Sequence, residues 1–303
     1  MKRLFSILFT ATLLSVFAAG CDNTEDKSAN ADIPVETEAV TEATEEATEP
    51  ERKYTPQRGE FLYDDARVLS PSDFKAVNQT AADFTAKYRV NTGVVITDNT
   101  GEKAPKDLAA EYYKELCGNA NGLLLLINND TGKDYVMRKG SPSLFVTDED
   151  IQLLLADISP LLVTGDYYGA VTKTFELFEN NIPEYVTDRT NLMEKEQIEA
   201  INQKLKDASS EEKTLSVIYT SQPACIIDEY ADSQIERYIN TETPLVIMCV
   251  DITTGNSAVR AYNGAQSGNA TTEFKTAICE CFNDEASFDF EHSVDIFIKY
   301  FGK

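Results

Sequence analysis

The chain predicts an α/β protein built as tandem α/β/α sandwiches, each with a small mixed sheet. The first observation behind this is the unbroken apolar run Leu123–Ile127, short enough for a strand and too short for a membrane span. A strand apolar on both faces belongs in the middle of a sheet covered by helices on each side. The second is the segment after that run: Asn129-Asp130-Thr131-Gly132 tolerates a tight turn, and Tyr135-Val136-Met137 returns as the next strand. The third is repetition. Thr243-Pro244 leads into Leu245–Val250, then Asp251-Ile252-Thr253-Thr254-Gly255, then a second returning segment that ends at Gly264.

A chain of 303 residues holds two domains of ordinary size. The formal net charge of −24 argues against a nucleic-acid partner and against charge-driven binding to an anionic membrane surface. It is compatible with a solvated acidic surface and with weak divalent-cation binding. At the N-terminus, Lys2 and Arg3 precede the apolar stretch 4–19, and Ala18-Ala19-Gly20 places small residues just before Cys21. That pattern is a secretory signal, and the cysteine after it resembles the lipobox of bacterial lipoproteins. The resemblance implies removal of the leader and lipidation of Cys21. The expected location is then the extracytoplasmic face of the cell membrane, held by lipid rather than by a spanning helix. Residues 22–58 are rich in Thr, Glu and Ala with almost nothing to bury, and predict a disordered acidic stalk.

Structure begins near Phe61. Ser70 reads as a helix N-cap with Pro71 in the first turn and Asp73 completing a capping box, and Phe74, Val77, Phe84 and Tyr88 fall on one face. Asn91-Thr92-Gly93 is expected to break that helix before a short buried strand, Val94-Val95-Ile96-Thr97. Pro105 opens a second helix with Leu108, Tyr112 and Leu116 inward. After the central strand pair, Thr147 to Asp150 forms another capping box, and Pro160 is expected to stop the helix it starts. A last helix carries Tyr168, Val171, Phe175 and Phe178. The second half repeats this order: Asp188 and Leu192-Met193 match Asp64 and Val68-Leu69, and Ile198 and Ile201 match Phe74 and Val77. Leu215–Thr220 matches the Val94 strand, Tyr230 and Ile235 mark the matching helix, and Thr271–Cys281 and Phe288–Phe301 supply the last two helices. Domain boundaries are expected at 59–182 and 183–303.

Cys117, Cys225, Cys249, Cys279 and Cys281 lack the regular spacing of a disulfide framework, although one bridge from Cys225 to another second-half cysteine stays open. His292 is the only histidine, and no phosphate-cradling glycine loop, nucleophile elbow or cysteine-phosphatase loop is present. The acidic candidates are Asp64, Asp65, Asp130 and Asp148. Loops at one end of the strands form the usual crevice of such folds. Asp64, Asn121 and Asp148 are expected to converge there as oxygen ligands for calcium or another divalent cation. Asp148 is also explained as a helix-start residue, and Asp64 as a turn residue bonded to its own backbone.

The segments Tyr63–Ser70 (D-x-A-x-x-L-S), Thr92-Gly93-Val94-Val95, Asn121–Leu125 (N-G-x-L-L), Gly140 with Val146-Thr147-Asp148, and Gly165-Asp166-Tyr167 together resemble the TPM domain. That family includes a thylakoid-lumen acid phosphatase and a photosystem repair factor. The resemblance covers about residues 59–180 and implies calcium binding near these motifs. The second half is then a degenerate copy, with Ala270-Thr271-Thr272 in place of Val146-Thr147-Asp148 and Thr243-Pro244 in place of Asn121-Gly122. Two functions are compatible with this: a membrane-anchored binding or assembly module with calcium dependence and an envelope-protein partner, or a weak metal-dependent acid phosphatase.

Overall fold

The computed structural model describes residues 55–98, 101, 103–221, 225–238, 243–265, 268, 270–284 and 287–302. The leader, Cys21 and almost all of the acidic stalk lie outside them. The first half runs β1 (Gln57–Arg58), β2 (Leu62–Asp64), α1 (Pro71–Tyr88), β3 (Asn91–Thr97), α2 (Pro105–Leu116), β4 (Gly122–Asn128), β5 (Tyr135–Lys139), α3 (Pro142–Phe145), α4 (Asp148–Val163) and α5 (Tyr167–Asn181). The second runs β6 (Val186–Asp188), α6 (Lys195–Ala208), β7 (Thr214–Thr220), α7 (Ile227–Tyr238), β8 (Leu245–Asp251), β9 (Asn256–Tyr262), α8 (Thr272–Glu280) and α9 (Phe290–Phe301).

Two separate mixed sheets result, ordered β1-β2-β3-β4-β5 and β6-β7-β8-β9. In the first, β2, β3 and β4 are parallel while β1 and β5 are antiparallel edges. In the second, β6, β7 and β8 are parallel and β9 is antiparallel. The central strands alternate between two helical layers, as apolar runs must when both faces are covered. Val94, Ile96, Leu123, Leu125 and Ile127 pack with residues of α1, α4 and α5, whereas Val95, Leu124 and Leu126 pack with Leu108, Ala109, Tyr112 and Tyr113 of α2. The second sheet repeats this: Val217, Val246, Met248 and Val250 face α6, α8 and α9, and Ile218, Ile247 and Cys249 face Ile227 and Ala231 of α7.

This layering bears on handedness. Parallel strands in consecutive order with right-handed crossovers place both connecting helices on one face. Here α1 and α2 lie on opposite faces, and so do α6 and α7. One of the two crossovers in each half is therefore left-handed.

The register makes the repeat a residue-by-residue one. Asp64 pairs with Ile96 as Asp188 pairs with Tyr219, and Asn91 pairs with Gly122 as Thr214 pairs with Leu245. Pro244 thus occupies the place of Asn121, and Leu245 that of Gly122, one residue on from the match expected from sequence. The caps agree too: Thr147 and Thr271 cap α4 and α8, and Asp166 and Asp289 cap α5 and α9, each with a side chain accepting a first-turn N–H.

Several local expectations are corrected. Ser70 caps α1 as expected, but its hydroxyl donates to the Asp73 carboxylate, and Asp73 makes no reciprocal bond to the cap N–H among the described residues. The segment Asn91-Thr92-Gly93 does not break α1; it is the start of β3. Its polar groups are satisfied by Asn91 Nδ2 donating to the Cys117 carbonyl and Thr92 Oγ1 to the Ala81 carbonyl. The helix ends just before it, where Arg89 adopts a left-handed backbone (φ 55°) and its N–H donates to the Thr85 carbonyl. Pro160 lies inside α4, which continues to Val163, and Thr164 closes it by donating to the Pro160 and Leu161 carbonyls. Tyr168 is exposed rather than inward; Ala170, Val171, Thr174, Phe175 and Phe178 form the buried face of α5.

Both halves lie within one compact unit, and one apolar core runs through both. At the junction Tyr88, Phe145, Ile182, Val186 and Ile198 close around a gap of only about 10 Å³. Polar groups reinforce it: Asn121 Nδ2 donates to the Asp188 carbonyl, Arg89 to the Glu184 carbonyl, and Arg189 Nη2 to the Arg89 carbonyl at 3.4 Å. Asn121 is held against Gly140, whose φ is 71° and where a Cβ would lie 1.9 Å from Asn121 Oδ1.

The junction generates two predictions. Gly140→Ala combines left-handed backbone strain of about 1–2 kcal/mol with displacement of Asn121, leaving a buried carbonyl unpaired at about 1–3 kcal/mol. Gly132→Ala, at φ 64° with nothing near its Cβ, should carry only the strain. Denaturant unfolding of both variants measures the difference, and equal losses would remove Asn121 from the joint. Residues 59–182 and 183–303, expressed separately, are expected to unfold cooperatively but at lower denaturant than the full chain, because each exposes its side of the shared core.

Candidate functional site

The carboxyl ends of the parallel strands in the first half gather the polar groups. Asp64 ends β2 and is fully buried. Its carboxylate accepts the Val68 N–H at 3.2 Å and the Leu69 N–H at 3.0 Å, tying the β2–α1 loop to the strand end. Burial raises its pKa above the ordinary carboxylate value, against the lowering effect of these N–H bonds. Asp65, also buried, is bidentate with Arg58 (Nε to Oδ1 3.0 Å, Nη2 to Oδ2 2.8 Å) and accepts the Tyr112 hydroxyl at 2.9 Å. Burial and the Asp65 charge push Tyr112 up to about 12. This ion pair fastens edge strand β1 to α2.

Beyond the end of β4, Asp134 accepts the Asn128 N–H at 2.9 Å and is raised in pKa by burial. The Tyr167 hydroxyl donates to Asn129 Oδ1 at 2.7 Å. Burial raises Tyr167, and the nearby charges of Asp64 and Asp134 raise it further. One fully buried carboxylate, one partly buried carboxylate and a phenol therefore lie at one end of the sheet. This oxygen-only arrangement suits a hard cation or acid chemistry.

The set Asp64, Asn121 and Asp148 is not brought together, which corrects the expected convergence. Asp64 lies level with Ile96 and Ile127, while Asn121 lies six residues upstream of Ile127, before the amino end of β4. At about 3.3 Å per residue the two are roughly 20 Å apart along the sheet. Asn121 is committed to the junction, donating to the Asp188 carbonyl and to Ser141 Oγ at 3.3 Å. Asp148 belongs to the Asn121 end, because it pairs at 2.7 Å with Arg138, which lies opposite Leu123. Its side chain is 88% exposed, and the capping box is made by Thr147 and Asp150. Asp148 is thus a helix-start residue near the positive end of the helix dipole. Asp130 lies exposed in the β4–β5 turn.

Asp134 and Tyr167 are the residues that sequence reasoning passed over. A signal existed: residues following a parallel strand share an end with one another, and residues preceding it do not. Asp64 and Asp134 follow strands, whereas Asn121 precedes one. Among the described residues no group of three His, Cys, Asp or Glu side chains is placed to hold a metal.

In the second half Asp188 repeats Asp64, accepting the Met193 N–H at 3.1 Å and bonds from Thr190 and Asn191. By register and caps, Asp134 becomes Ser257 and Tyr167 becomes Phe290. The oxygen-rich edge is therefore not repeated. The described cysteines are free thiols, so no bridge from Cys225 forms.

Asp64 generates a prediction about pH. Its raised value means its contribution to stability is complete below about pH 3.9 and is lost as pH rises through the folded value. Relative to Asp64→Asn, the wild type should gain stability as pH falls from about 7 to about 4, read as the difference between their unfolding free energies. A difference that stays flat over that range would show that Asp64 ionises without penalty.

No curated protein matches the chain. Among solved structures, it is similar to the solution NMR structure of the N-terminal domain of a protein from P. gingivalis. The identity is 17%, the TM-score is 0.36, and the match covers 40% of this chain and 80% of that one. The TPM domain matches residues 62–180, which run from the start of β2 into the last turn of α5. The similarity of this protein to the TPM domain family thus lies in residues 62–180.

Proposed function

We propose that this protein is a binding or assembly module, held by lipid on Cys21 at the extracytoplasmic membrane face, with an envelope protein as partner. The observation that supports this reading is how the two halves differ. The second half keeps the strand order, the caps and the buried aspartate that closes its first loop, yet has Ser257 and Phe290 in place of Asp134 and Tyr167. A duplicated scaffold that keeps its framework without its acidic edge fits a role in presenting surface. The leader pattern before Cys21 supports the anchor, and no described helix is long and apolar enough to cross a membrane.

The acid-phosphatase reading keeps one observation in its favour, the grouping of Asp64, Asp134 and Tyr167 in the first half. A calcium or other divalent cation would be held there, by carboxylate and amide oxygens, rather than by Asp64, Asn121 and Asp148. A bound cation would lower both raised carboxylate pKa values and stabilise the fold by mass action.

The full chain expressed in a lipoprotein-processing host tests both readings. Cys21→Ala should lose the lipid and the membrane retention it gives, and retained anchorage with no lipid on the wild type would remove the anchor. Release of phosphate from an aryl phosphate should stay at the buffer level with calcium or magnesium. Release that depends on the metal and disappears in Asp134→Asn would establish the phosphatase instead.

A further inference from the structure

Helix α4 is apolar on more of its circumference than its place in the fold requires. Ile151, Leu154 and Ile158 are buried in the core, and Leu155, Leu161 and Leu162 pack partly against it. Leu153, Ala156, Pro160 and Val163 are exposed instead, Leu153 to 62% and Val163 to 84%. Their spacing is i, i+3, i+7 and i+10. At about 100° per residue they fall within roughly 80° of arc and form a stripe about 15 Å long. Apolar side chains exposed singly are ordinary, but a continuous row along one helix face marks a contact surface. The matching helix of the second half, α8, is nine residues long and leaves Glu273, Lys275, Thr276 and Glu280 exposed.

The charges around the stripe select what covers it. Residues 148–181 carry seven acidic side chains and one basic, Lys173, which is already paired with Asp157 at 3.2 Å. Glu149 and Asp157 stand four residues before and four after Leu153, on its side of the helix, and both are exposed. Pro160, within the stripe, has no N–H to give, so the Ala156 carbonyl lacks its helical donor. An apolar row in an acidic frame, with a spare acceptor at its middle, complements an apolar row bordered by cations. A second copy of this face would bring two acidic frames together, and an anionic bilayer would be repelled in the same way.

We propose that the outer face of α4 docks an amphipathic helix of a protein partner. Aliphatic side chains of that helix lie along Leu153, Ala156, Pro160 and Val163, and its Lys or Arg side chains reach Glu149 and the Ala156 carbonyl. The inference rests on the binding-module reading and names the surface it uses; it does not use the lipid anchor or the acidic edge.

The test titrates the full chain into fluorescently labelled helical peptides of about 18 residues. One carries Leu on one face and Lys on the other, one has the same composition scrambled, and one has Glu in place of Lys. The amphipathic Leu/Lys helix should bind with a Kd below about 10 μM, and the other two at least about tenfold more weakly. Leu153→Ser combined with Val163→Ser should weaken the Leu/Lys helix at least about tenfold with the Tm unchanged, because both side chains lie outside the core. Ala156→Arg, which suits a helix and blocks the stripe, should do the same. Leu192→Ser, at a residue 55% exposed elsewhere, should leave binding unchanged. Equal binding of the scrambled peptide, or undiminished binding by both stripe variants, would overturn the proposal. So would attachment to anionic phosphatidylglycerol vesicles, or a dimer in sedimentation, that Ala156→Arg abolishes, since the face would then belong to a bilayer or to a second copy. Absence of peptide binding with phosphate release at the buffer level overturns this inference alone; absence together with metal-dependent phosphate release overturns the module reading as well.

Discussion

Each half of this molecule depends on a buried carboxylate at the end of its first parallel strand. Asp64 and Asp188 are almost wholly removed from water, and each gathers the backbone N–H groups of the loop that leads into the first helix. The loop has no ladder of its own, so without the carboxylate those donors would be buried and unpaired. Once Asp64 holds Leu69, the cap at Ser70 and the apolar face of α1 are positioned over β3. Asp188 does the same for Met193 and the start of α6. The aspartate is required by the backbone it satisfies, which is why it persists in both copies while the groups around it differ.

The joint between the halves uses the opposite end of the first sheet. Asn121, which lies before β4, reaches the backbone carbonyl of Asp188, so the base of one copy is fastened beside the crevice side of the other. The β7–β8 side of the second crevice remains open, and there Ser257 stands where the first half has Asp134.

The strands and caps were legible in the sequence for a physical reason. Leu123–Ile127 and Leu245–Val250 have too many consecutive apolar residues to face water on either side, and Ser70, Thr147 and Asp64 each sit next to N–H groups that need an acceptor. The features that stayed hidden depend on contacts distant in sequence. Arg89 ends α1 in a left-handed conformation although no glycine marks the place, and its guanidinium donates to the Glu184 carbonyl. Asn91 and Thr92 read as helix breakers because their partners, the Cys117 and Ala81 carbonyls, lie in other elements. Helices on opposite faces also run against the usual handedness, so chain order alone would have placed α1 and α2 together. The candidate site was half legible: Asp64 belongs to the acidic edge, but its companions are Asp134 and Tyr167.

The cysteines have a consequence for chemistry in an oxidising compartment. Cys249 takes the strand position that Leu126 holds in the first half, and burial pushes its thiol up to about 12. Burial likewise pushes Cys281 up to about 11. Disulfide exchange proceeds through the thiolate, and a thiol near 12 supplies it at roughly a thousandth of the ordinary fraction. In the folded protein these sulfurs behave as small apolar side chains, out of reach of oxidants that act on exposed thiols. Only Cys225 and Cys279, both partly exposed, offer a starting point among the described cysteines. Oxidative cross-linking in the folded protein is then confined to Cys225 and Cys279, and Cys249 and Cys281 become reachable only on unfolding.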